Sequence, residues 1–551
     1  IAKSGTREML ERVRASDSPQ AIEDLIGQFG VGFYSAFMVA DKVTVVTRRA
    51  GEATATRWES SGEGEYTLAD DRRFMRGTTV TLHLKPADSD DGLDDYTDPE
   101  VIESLVKRYS DFVAYPIRMK KTVRRPERDD DGKPIPGSER EVVEEVTLNS
   151  MKPIWTRPRS EVSEEEYEQF YRHIAHDWNA PMETLSLKAE GRIEYRALLF
   201  IPEKAPLDLF LRDRSWGLQL YVRRVLIMDR CEELMPSYLR FVRGVVDSAD
   251  LPLNVSREMI QQDRHIRQMR LWLTRKVLDH LAEMKSERPD DYRKLWRQYG
   301  MVLKEGLASD AENRDRLLPL VLFSSSDEGG DATDLAGYVE RMKEGQKAIY
   351  YLTGERRDLL EQSPHAEALA ARDIEVLYLT DPIDEFVVEA VGEYEGHPLR
   401  SAAKGVLDLP GEEEPDDTAE EEAADLGPLL GLLRRALQDD VREVRESKRL
   451  IDSPSCLVGG EGDISPQLER LLRESRGEEA VPKQKRILEV NPRHPLVRRL
   501  AALAADASDG DLALEARLLY DYATLADGTE IPDPAGLRRR LAELMLRSLP
   551  G

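Results

Sequence analysis

The chain has few cysteines and fewer basic than acidic residues. Cys231 and Cys456 are its two cysteines; they lie far apart and lack the spacing of metal ligands. A disulfide framework is therefore not supported, and two reduced, buried thiols of a cytosolic protein are expected. Lys and Arg number 79 against 106 Asp and Glu, so the net charge is −27. This balance argues against a general nucleic-acid-binding protein, which needs a basic face.

Long apolar runs are also absent. No run approaches the roughly 18 apolar residues of a membrane-spanning helix, and residues 1–10 show no secretion-signal pattern. With 40% hydrophobic and 34% charged residues, the composition is that of a soluble, folded protein, and a cytoplasmic location is expected. A length of 551 residues exceeds what one hydrophobic core supports, so about three domains are expected.

The order of predicted elements divides the chain into four segments of an α+β multidomain protein. Residues 1–122 are predicted to be α/β, 123–145 a charged linker, 146–405 a second α/β region and 406–551 mainly helical. Apolar alternation or short apolar runs predict strands at 42–48, 78–84, 194–201, 219–222, 348–352 and 375–379. Asp98 and Pro99 are expected to cap a helix, and helical spacing predicts a long helix over about 257–284. The acidic stretch 411–425 is expected to be a solvated loop.

Two apolar stripes near the C-terminus predict short amphipathic helices. The first stripe is Leu512, Ala516, Leu519 and Ala523, and the second is Leu537, Leu541, Leu544 and Leu549. Two such helices at a chain end cannot bury both of their sides alone. A second copy of the chain would cover them, which predicts a C-terminal dimerisation domain and a homodimer. The alternative is that both helices pack within their own domain.

The strongest local motif is GQFGVGFYS, residues 27–35. Its three glycines let the backbone approach a bulky anion, and the apolar helix after them would point its positive dipole end toward that anion. However, a glycine turn before a helix is common, and the spacing is that of neither a P-loop nor a dinucleotide-binding fingerprint. From spacing alone, phosphate binding and an ordinary turn both stay open.

Longer strings around this motif resemble a known family. IAKSGT at residues 1–6 and LIGQFGVGFYSAFMVAD at 25–41 are similar to the lid and phosphate loop of the heat-shock protein 90 family. The resemblance implies part of a GHKL-type ATPase, an α/β sandwich shared with gyrase, mismatch-repair and histidine-kinase ATPases, with residues 4–25 as its mobile lid. The nucleotide-binding residues that it implies are Lys3, Gly27, Gln28, Gly30, Val31, Gly32, Phe33 and Thr78.

The resemblance also implies that some of the ATPase lies outside the chain. In this family a glutamate that activates water, an asparagine that holds magnesium and an aspartate that reads adenine precede the lid. The resemblance implies ATP and Mg²⁺ as cofactors. None of these three residues has a counterpart in this chain, so the metal ligand and the general base are not assigned to it. Since the chain starts at Ile1 without Met, a fragment of a longer protein is the favoured explanation. The alternative is a native chain that lacks these parts.

A second functional string, LPLNVSREMIQQ, occupies residues 251–262. Arg257 falls in the first turn of the predicted long helix, where a cation opposes the helix dipole and an anionic partner would offset the cost. Judged from the residues alone, pairing with Glu258 or another surface acid explains it. The string resembles the middle domain of the same family, which implies that Arg257 reaches the γ-phosphate of ATP as a catalytic residue. Gln261, on the same helix face, would assist it.

Trp178 is a candidate contact for client proteins, because it is a large indole in the polar setting HDWN. A chaperone needs accessible apolar surface outside any deep pocket. The string IPEKAPLDLF, residues 201–210, also resembles a middle-domain loop of the family. A half-buried tryptophan packed on its own domain is the alternative.

The leading hypothesis is an ATP-driven, dimeric chaperone that clamps around unfolded or partly folded client proteins. Its chain end, Leu549-Pro550-Gly551, lacks the acidic peptide that recruits co-chaperones in eukaryotic cytosolic relatives, which favours a bacterial type with any co-chaperones of that type. Two alternatives stay open. One is an ATP-independent holding protein or scaffold. The other is a relative that shares only the ATPase fold, such as a type II topoisomerase subunit, against which the net charge argues.

Overall fold

The computed structural model describes most of the chain beyond residue 31. The described ranges are 32–88, 90, 92–128, 134–191, 194–206, 209–211, 216–251, 264–327, 332–410, 426–477, 484–505, 512–529 and 531–548, with the backbone alone for 123–128, 134–140, 476, 547 and 548. The chain divides into two compact units, one of residues 1–236 and 240–270 and the other of 237–239 and 271–551. Helices and sheets occur in both, as expected for an α+β protein.

The first unit contains a four-stranded antiparallel sheet of spatial order β3-β2-β1-β4. Its strands are β1 (Ala40–Arg48), β2 (Ala55–Ser60), β3 (Thr67–Asp71) and β4 (Gly77–Leu84). A turn of 3-10 helix, Gly32–Ser35, and the short helix α1 (Ala36–Val39) precede it. Alternation along β1 turns Val43 and Val45 to one face, where they form a small core.

Helix α2 (Pro99–Ser110) follows this sheet. The Asp98 carboxylate accepts a hydrogen bond from the Glu100 amide at 2.8 Å, which satisfies one of the unpaired donors at the helix start. Pro99 occupies the first turn, where its missing N–H costs nothing. The predicted cap is confirmed.

A long antiparallel hairpin lies where the sequence predicts a charged linker over 123–145. Its strands are β5 (Arg118–Arg128) and β6 (Pro134–Thr147). Opposite charges stand directly across the ladder, as Lys121 does from Glu144. Such cross-strand pairs stabilise a sheet that has few apolar residues to bury, so the composition of a linker is here compatible with a hairpin.

A five-stranded sheet of order β10-β9-β11-β8-β7 forms the core of the first unit. Its strands are β7 (Pro181–Ala189), β8 (Tyr195–Pro202), β9 (Leu218–Val222), β10 (Val225–Cys231) and β11 (Arg243–Ser248). Helix α3 (Glu164–Ala175) contributes to its core, and it starts with a capping box in which Ser163 and Glu166 satisfy each other's backbone amides. The core is rich in aromatic side chains, namely Phe112, Trp155, Tyr167, Phe170, Tyr171, Phe200 and Tyr221.

In the second unit, long helices accompany a mixed five-stranded sheet of order β12-β14-β13-β16-β15. The strands are β12 (Ser324–Ser325), β13 (Ile349–Thr353), β14 (Val376–Leu379), β15 (Glu393–Tyr394) and β16 (His397–Ser401). The helices are α4 (Arg264–Glu287), which starts in the first unit, α5 (Pro289–Ser309), α6 (Arg314–Leu317), α7 (Leu335–Glu340), α8 (Arg357–Glu361), α9 (Glu367–Ala370) and α10 (Asp384–Val391). The buried Lys304 of α5 forms ion pairs with Asp381 at 2.8 Å and Asp384 at 2.7 Å, which join α5 to the start of α10.

The C-terminal part of the second unit combines helices with a small sheet that the sequence reading missed. Strands β17 (Glu443–Glu446), β18 (Ser455–Val458) and β19 (Ile487–Val490) have the order β17-β19-β18. The helices are α11 (Gly427–Ala436), α12 (Pro466–Arg476), α13 (Pro495–Ala504), α14 (Ala513–Ala526) and α15 (Pro534–Ser548). Each of these strands has four residues, too few to show alternation.

The two predicted C-terminal stripes have different surroundings. Ala516, Leu519 and Ala523 of α14 are buried in the core of their own unit, and Leu512 packs against it. For this stripe the alternative reading, packing within the domain, is therefore correct. In contrast, Leu541 and Leu544 of α15 are exposed, while Leu549 lies outside the described residues.

A buried ionic cluster around Glu489 of β19 joins the two sheets of the second unit. Its carboxylate accepts hydrogen bonds from Arg445 at 2.7 Å, Arg449 at 3.0 Å and Ser447 at 2.8 Å. Burial favours the neutral acid, but the arginines and the serine outweigh it and lower the pKa of Glu489. The guanidinium of Arg449 also donates to the carbonyl of Ala402, just after β16. The charges are thus paired across the junction.

A second contact at this junction involves Glu367 of α9. Its carboxylate accepts hydrogen bonds from the successive amides of Ile451 at 2.7 Å, Asp452 at 2.9 Å and Ser453 at 3.1 Å. Three converging amides form a concave anion site, which a side chain of the same unit fills. This contact holds the loop before β18 against α9.

The local predictions from periodicity are confirmed. All six predicted strands are present, with ends that differ by at most two residues. The described part of the long helix is α4, in which the predicted apolar positions Ile266, Met269, Leu273, Val277, Leu278 and Leu281 are buried. Its predicted start at 257, with Met259 and Ile260, lies outside the described residues. Both cysteines are free and buried, and burial raises the pKa of Cys231 to about 12. The acidic stretch 411–425 lies outside the described residues.

Gly244→Ala is expected to destabilise the first unit strongly. Gly244 on β11 has φ +145°, and an added Cβ would press on the Leu198 carbonyl and lie 2.9 Å from the Leu199 Cα in β8. Backbone atoms within a ladder cannot yield, so the free energy of unfolding should fall by about 3 kcal/mol. The matched control is Gly191→Ala, with φ +153° and no atom within 4 Å, which should cost about 1 kcal/mol. Urea unfolding followed by tryptophan fluorescence measures both; equal losses would contradict the packing argument.

Candidate functional site

The described part of the glycine motif is a tight turn packed onto the first sheet. The Ser35 hydroxyl donates to the Gly32 carbonyl at 2.6 Å and closes the 3-10 turn. Phe33 is partly buried: its ring lies 5.8 Å from that of Trp58 and 6.4 Å from that of Phe37, both edge to face. These rings pack on the small core of Val43 and Val45. Phe33 therefore has a structural role in addition to the predicted nucleotide contact.

Thr78 lies at the start of β4, directly opposite Thr47 of β1. The two hydroxyls are 2.8 Å apart. Residues paired across an antiparallel ladder point to the same face of the sheet. Since Val45 pairs with Val80, two residues after Thr78 on that strand, the face of Thr78 is also the face on which Phe33 packs.

The structure thus brings two of the described nucleotide-binding candidates, Phe33 and Thr78, to one face of one sheet, and the third, Gly32, begins the turn that contains Phe33. The other candidates lie outside the described residues: Lys3, Gly27, Gln28, Gly30, Val31, Arg257 and Gln261, together with the lid over 4–25. Their nucleotide contacts and the catalytic role of Arg257 stay predictions.

Trp178 has a well-defined position at the end of α3. Its side chain is 90% exposed, which decides against the alternative of a half-buried tryptophan. The helix ends at His176, whose left-handed conformation (φ 53°) reverses the chain. Asp177 then accepts hydrogen bonds from the Asn179 amide at 3.0 Å and from its side-chain nitrogen at 2.9 Å, which closes an Asx turn across Trp178.

A buried tyrosine anchors this turn. The Tyr171 hydroxyl donates to the second carboxylate oxygen of Asp177 at 2.7 Å. Burial raises the pKa of Asp177, but the bonds from Tyr171 and Asn179 outweigh it and hold the pKa below its ordinary value. The carboxylate is therefore charged at neutral pH. Sequence reasoning missed this pair, although the polar residues on both sides of Trp178 were a signal for a turn.

A second group of exposed apolar residues lies at the end of the five-stranded sheet β10-β9-β11-β8-β7 where the Trp178 turn leads into β7. Pro181 of β7 pairs with Pro202 of β8, so the chain before β7 and the chain after β8 meet there. Phe210 and Leu211 follow β8, and each is more than half exposed.

A hydrogen bond keeps this second group close to the strand end. The Arg240 side chain donates to the Leu209 carbonyl at 2.9 Å, and Arg243, three residues later, pairs with Phe200 near the end of β8. The Trp178 turn and the segment with Phe210 and Leu211 therefore emerge from one end of the sheet, which we call the Pro181–Pro202 end.

Two of the cavities among the described residues have no predicted site residue in their lining. A polar groove of about 190 Å³ lies between α3 and the start of β7, and an apolar cavity of about 230 Å³ lies between α11, α13 and α14. Within the described ranges, no group of three or more His, Cys, Asp or Glu has the arrangement of a metal site. None of the described helices is long and apolar enough to cross a membrane.

Comparison with known proteins identifies the family. The family model described as Hsp90 protein matches residues 124–550. A protein of Mycobacterium avium (strain 104) named Chaperone protein HtpG is 53% identical over 555 residues, which cover 100% of this chain and 85% of the relative. Proteins of the same name from Mycobacterium tuberculosis (strain H37Rv) and Frankia casuarinae are each 52% identical, with the same coverage. The resemblance found in the sequence is confirmed: the chain belongs to the Hsp90 protein family, as a chaperone of the bacterial HtpG type.

Proposed function

We propose that this chaperone binds unfolded or partly folded client proteins at the Pro181–Pro202 end and remodels them in an ATP-driven cycle of a dimeric clamp. The observation that carries the proposal is the 90% exposure of Trp178. Aromatic side chains supply much of the energy at protein interfaces. An indole held in water by a polar turn gains by contacting an apolar client segment.

The second exposed group extends this surface. Phe210 and Leu211 emerge from the same sheet end as Trp178 and are proposed as a second contact for the same client. Separate apolar groups on a polar surface recognise apolar side chains without selecting one sequence. This suits a chaperone that acts on many unfolded proteins.

Trp178→Ala is expected to weaken binding of an unfolded client about tenfold, because one aromatic anchor contributes about 1–2 kcal/mol. The measurement is a fluorescence anisotropy titration with a labelled, permanently unfolded protein. The matched control is Phe74→Ala, since Phe74 is fully exposed but belongs to the first sheet region, between β3 and β4. Unchanged affinity in the Trp178 variant would remove this residue from the client surface.

The nucleotide is proposed to bind beside the first sheet. The residues that would hold ATP are Lys3, Gly27, Gln28, Gly30, Val31, Gly32, Phe33 and Thr78, and Arg257 would reach the γ-phosphate of the bound nucleotide only when the regions dock for hydrolysis. Among the described residues, no atom lies within 4 Å of a Cβ added at Gly32, so their packing does not require glycine there. Room for a phosphate is a reason that fits. Bound ATP would supply the phosphoanhydride bond whose hydrolysis drives the cycle. A Mg²⁺ ligand is not assigned to this chain.

Arg257 is proposed to stabilise the charge that develops on the γ-phosphate, with Gln261 assisting. Such a role requires that the middle region docks on the nucleotide, which couples hydrolysis to a change in shape. Arg257→Ala should leave ATP affinity within about twofold and lower turnover by a factor on the order of 100 or more. Steady-state hydrolysis and nucleotide binding of the full-length protein measure the two quantities. A control is Glu258→Ala, which tests the alternative of a local ion pair; turnover that depends on Glu258 and not on Arg257 would contradict the proposal.

The homodimer is proposed to form through α15. Its residues Leu541 and Leu544 are exposed, as are Met545 and Leu546. Exposed apolar residues one turn apart on a helix form a stripe that a second copy can cover.

Replacing both Leu541 and Leu544 by Asp should dissociate the dimer, because burying two unpaired carboxylates costs several kcal/mol. Sedimentation velocity across a concentration series measures this outcome. Arg539→Asp is the control, since it adds negative charge to an exposed position on the opposite side of the same helix. A dimer of unchanged affinity in the double variant would exclude this face as the contact.

A further inference from the structure

The turn that carries Trp178 should be unstable with its indole in water. Large apolar side chains tend to fold back onto the protein surface, because removing their area from water is favourable. Trp178 nevertheless stays 90% exposed. Something must therefore prevent the turn from collapsing.

The Asx turn restricts the backbone on both sides of the indole. Asp177 accepts two hydrogen bonds from Asn179, and His176 before it is held in the left-handed region as the helix ends. A non-glycine residue adopts that region at some cost, so the surrounding bonds must stabilise it.

The buried Tyr171 ties this turn to the core. Its side chain has 0% exposure, and its ring centroid lies 5.4 Å from that of Phe200 on β8. The ring cannot shift without disturbing the aromatic core, so its hydroxyl is a fixed donor. The bond to Asp177 therefore transfers the rigidity of the sheet to the turn.

We propose that Tyr171 and Asp177 are positioning residues that hold the Trp178 indole in water in its client-binding orientation. The inference rests on the client-binding role proposed above for Trp178. A preset side chain loses less conformational freedom when a client binds. The hydrogen bond between Tyr171 and Asp177, which we call the brace, therefore raises affinity without touching the client. The lowered pKa of Asp177 is consistent with this role, because the brace then persists at neutral pH.

The test is a double-mutant cycle in the full chain. Tyr171→Phe removes the hydroxyl and keeps the ring. Asp177→Ala removes the hydrogen bonds that Asp177 accepts from Tyr171 and from Asn179. Each should weaken binding of a labelled unfolded protein by about 3- to 10-fold. In a Trp178→Ala background, neither should weaken it further, because the brace acts through the indole. Asp177→Asn, which still accepts from the Asn179 amide, should restore part of the affinity.

A second readout reports the orientation directly. In protein labelled with 5-fluorotryptophan, the ¹⁹F signal that Trp178→Ala abolishes belongs to Trp178. Tyr171→Phe should shift or narrow this signal and leave the other tryptophan signals in place. Since Tyr171→Phe conserves the packing of the core, it remains informative if Asp177→Ala does not fold.

The outcomes separate this inference from the proposed function. If Trp178→Ala weakens client binding and the Tyr171 and Asp177 variants do not, the brace is refuted and the client surface stands. Equal losses from these variants with and without the indole would show a general structural effect and also refute the brace. If Trp178→Ala has no effect, the client role of Trp178 fails, and the inference fails with it.

Discussion

The antiparallel pairing of β7 with β8 is the constraint on which the proposed client surface depends. Trp178 and the pair of Phe210 and Leu211 are separated by about thirty residues of sequence, and the pairing of Pro181 with Pro202, together with the hydrogen bond from Arg240 to Leu209, brings their segments to one sheet end. A slip of one residue would turn every side chain of a strand to the opposite face. The buried residues of β8 prevent such a slip, so core packing sets the position of the exposed groups.

The second unit shows how polar groups can make a junction rigid. Glu489 with its two arginines, and Glu367 with three backbone amides, connect segments on either side of the junction. Removing one partner of such a buried pair leaves a charge without compensation, at a cost of about 3–5 kcal/mol. The C-terminal sheet and the helices packed on it are therefore held firmly to the preceding sheet.

Sequence patterns predicted the elements whose burial is periodic and failed where short or charged strands form. The alternation of β1 and the helical spacing of α4 were sufficient because each has one buried face. The hairpin of β5 and β6 was missed since its cross-strand charge pairs have the composition of a linker. The three strands of the C-terminal sheet were missed because four residues carry no readable period.

The sequence identified candidate residues for the functional site, but their positions in space became known only from the fold. The glycine motif and Arg257 were identified from sequence segments that resemble the family. The polar residues around Trp178 did not decide whether its side chain is buried or exposed. The turn that carries Trp178 is hydrogen-bonded to a tyrosine seven residues earlier in the chain. Sequence alone shows neither that Tyr171 is buried nor that its ring contacts Phe200. Contacts across the fold, and not local propensity, decide where the indole points.

A chaperone must show apolar surface without joining to other copies of itself in an uncontrolled way. Trp178 is exposed singly, on a turn of polar residues, and therefore does not form one continuous patch with its neighbours in sequence. The net charge of −27 adds repulsion between copies, and this repulsion weakens as salt screens it. An unfolded client is attracted despite that charge, since it offers several apolar side chains at once. Exposed leucines on a single helix, in contrast, form a stripe that suits one defined contact. The proposed client surface and the proposed self-association helix therefore differ in the arrangement of their apolar groups rather than in their number.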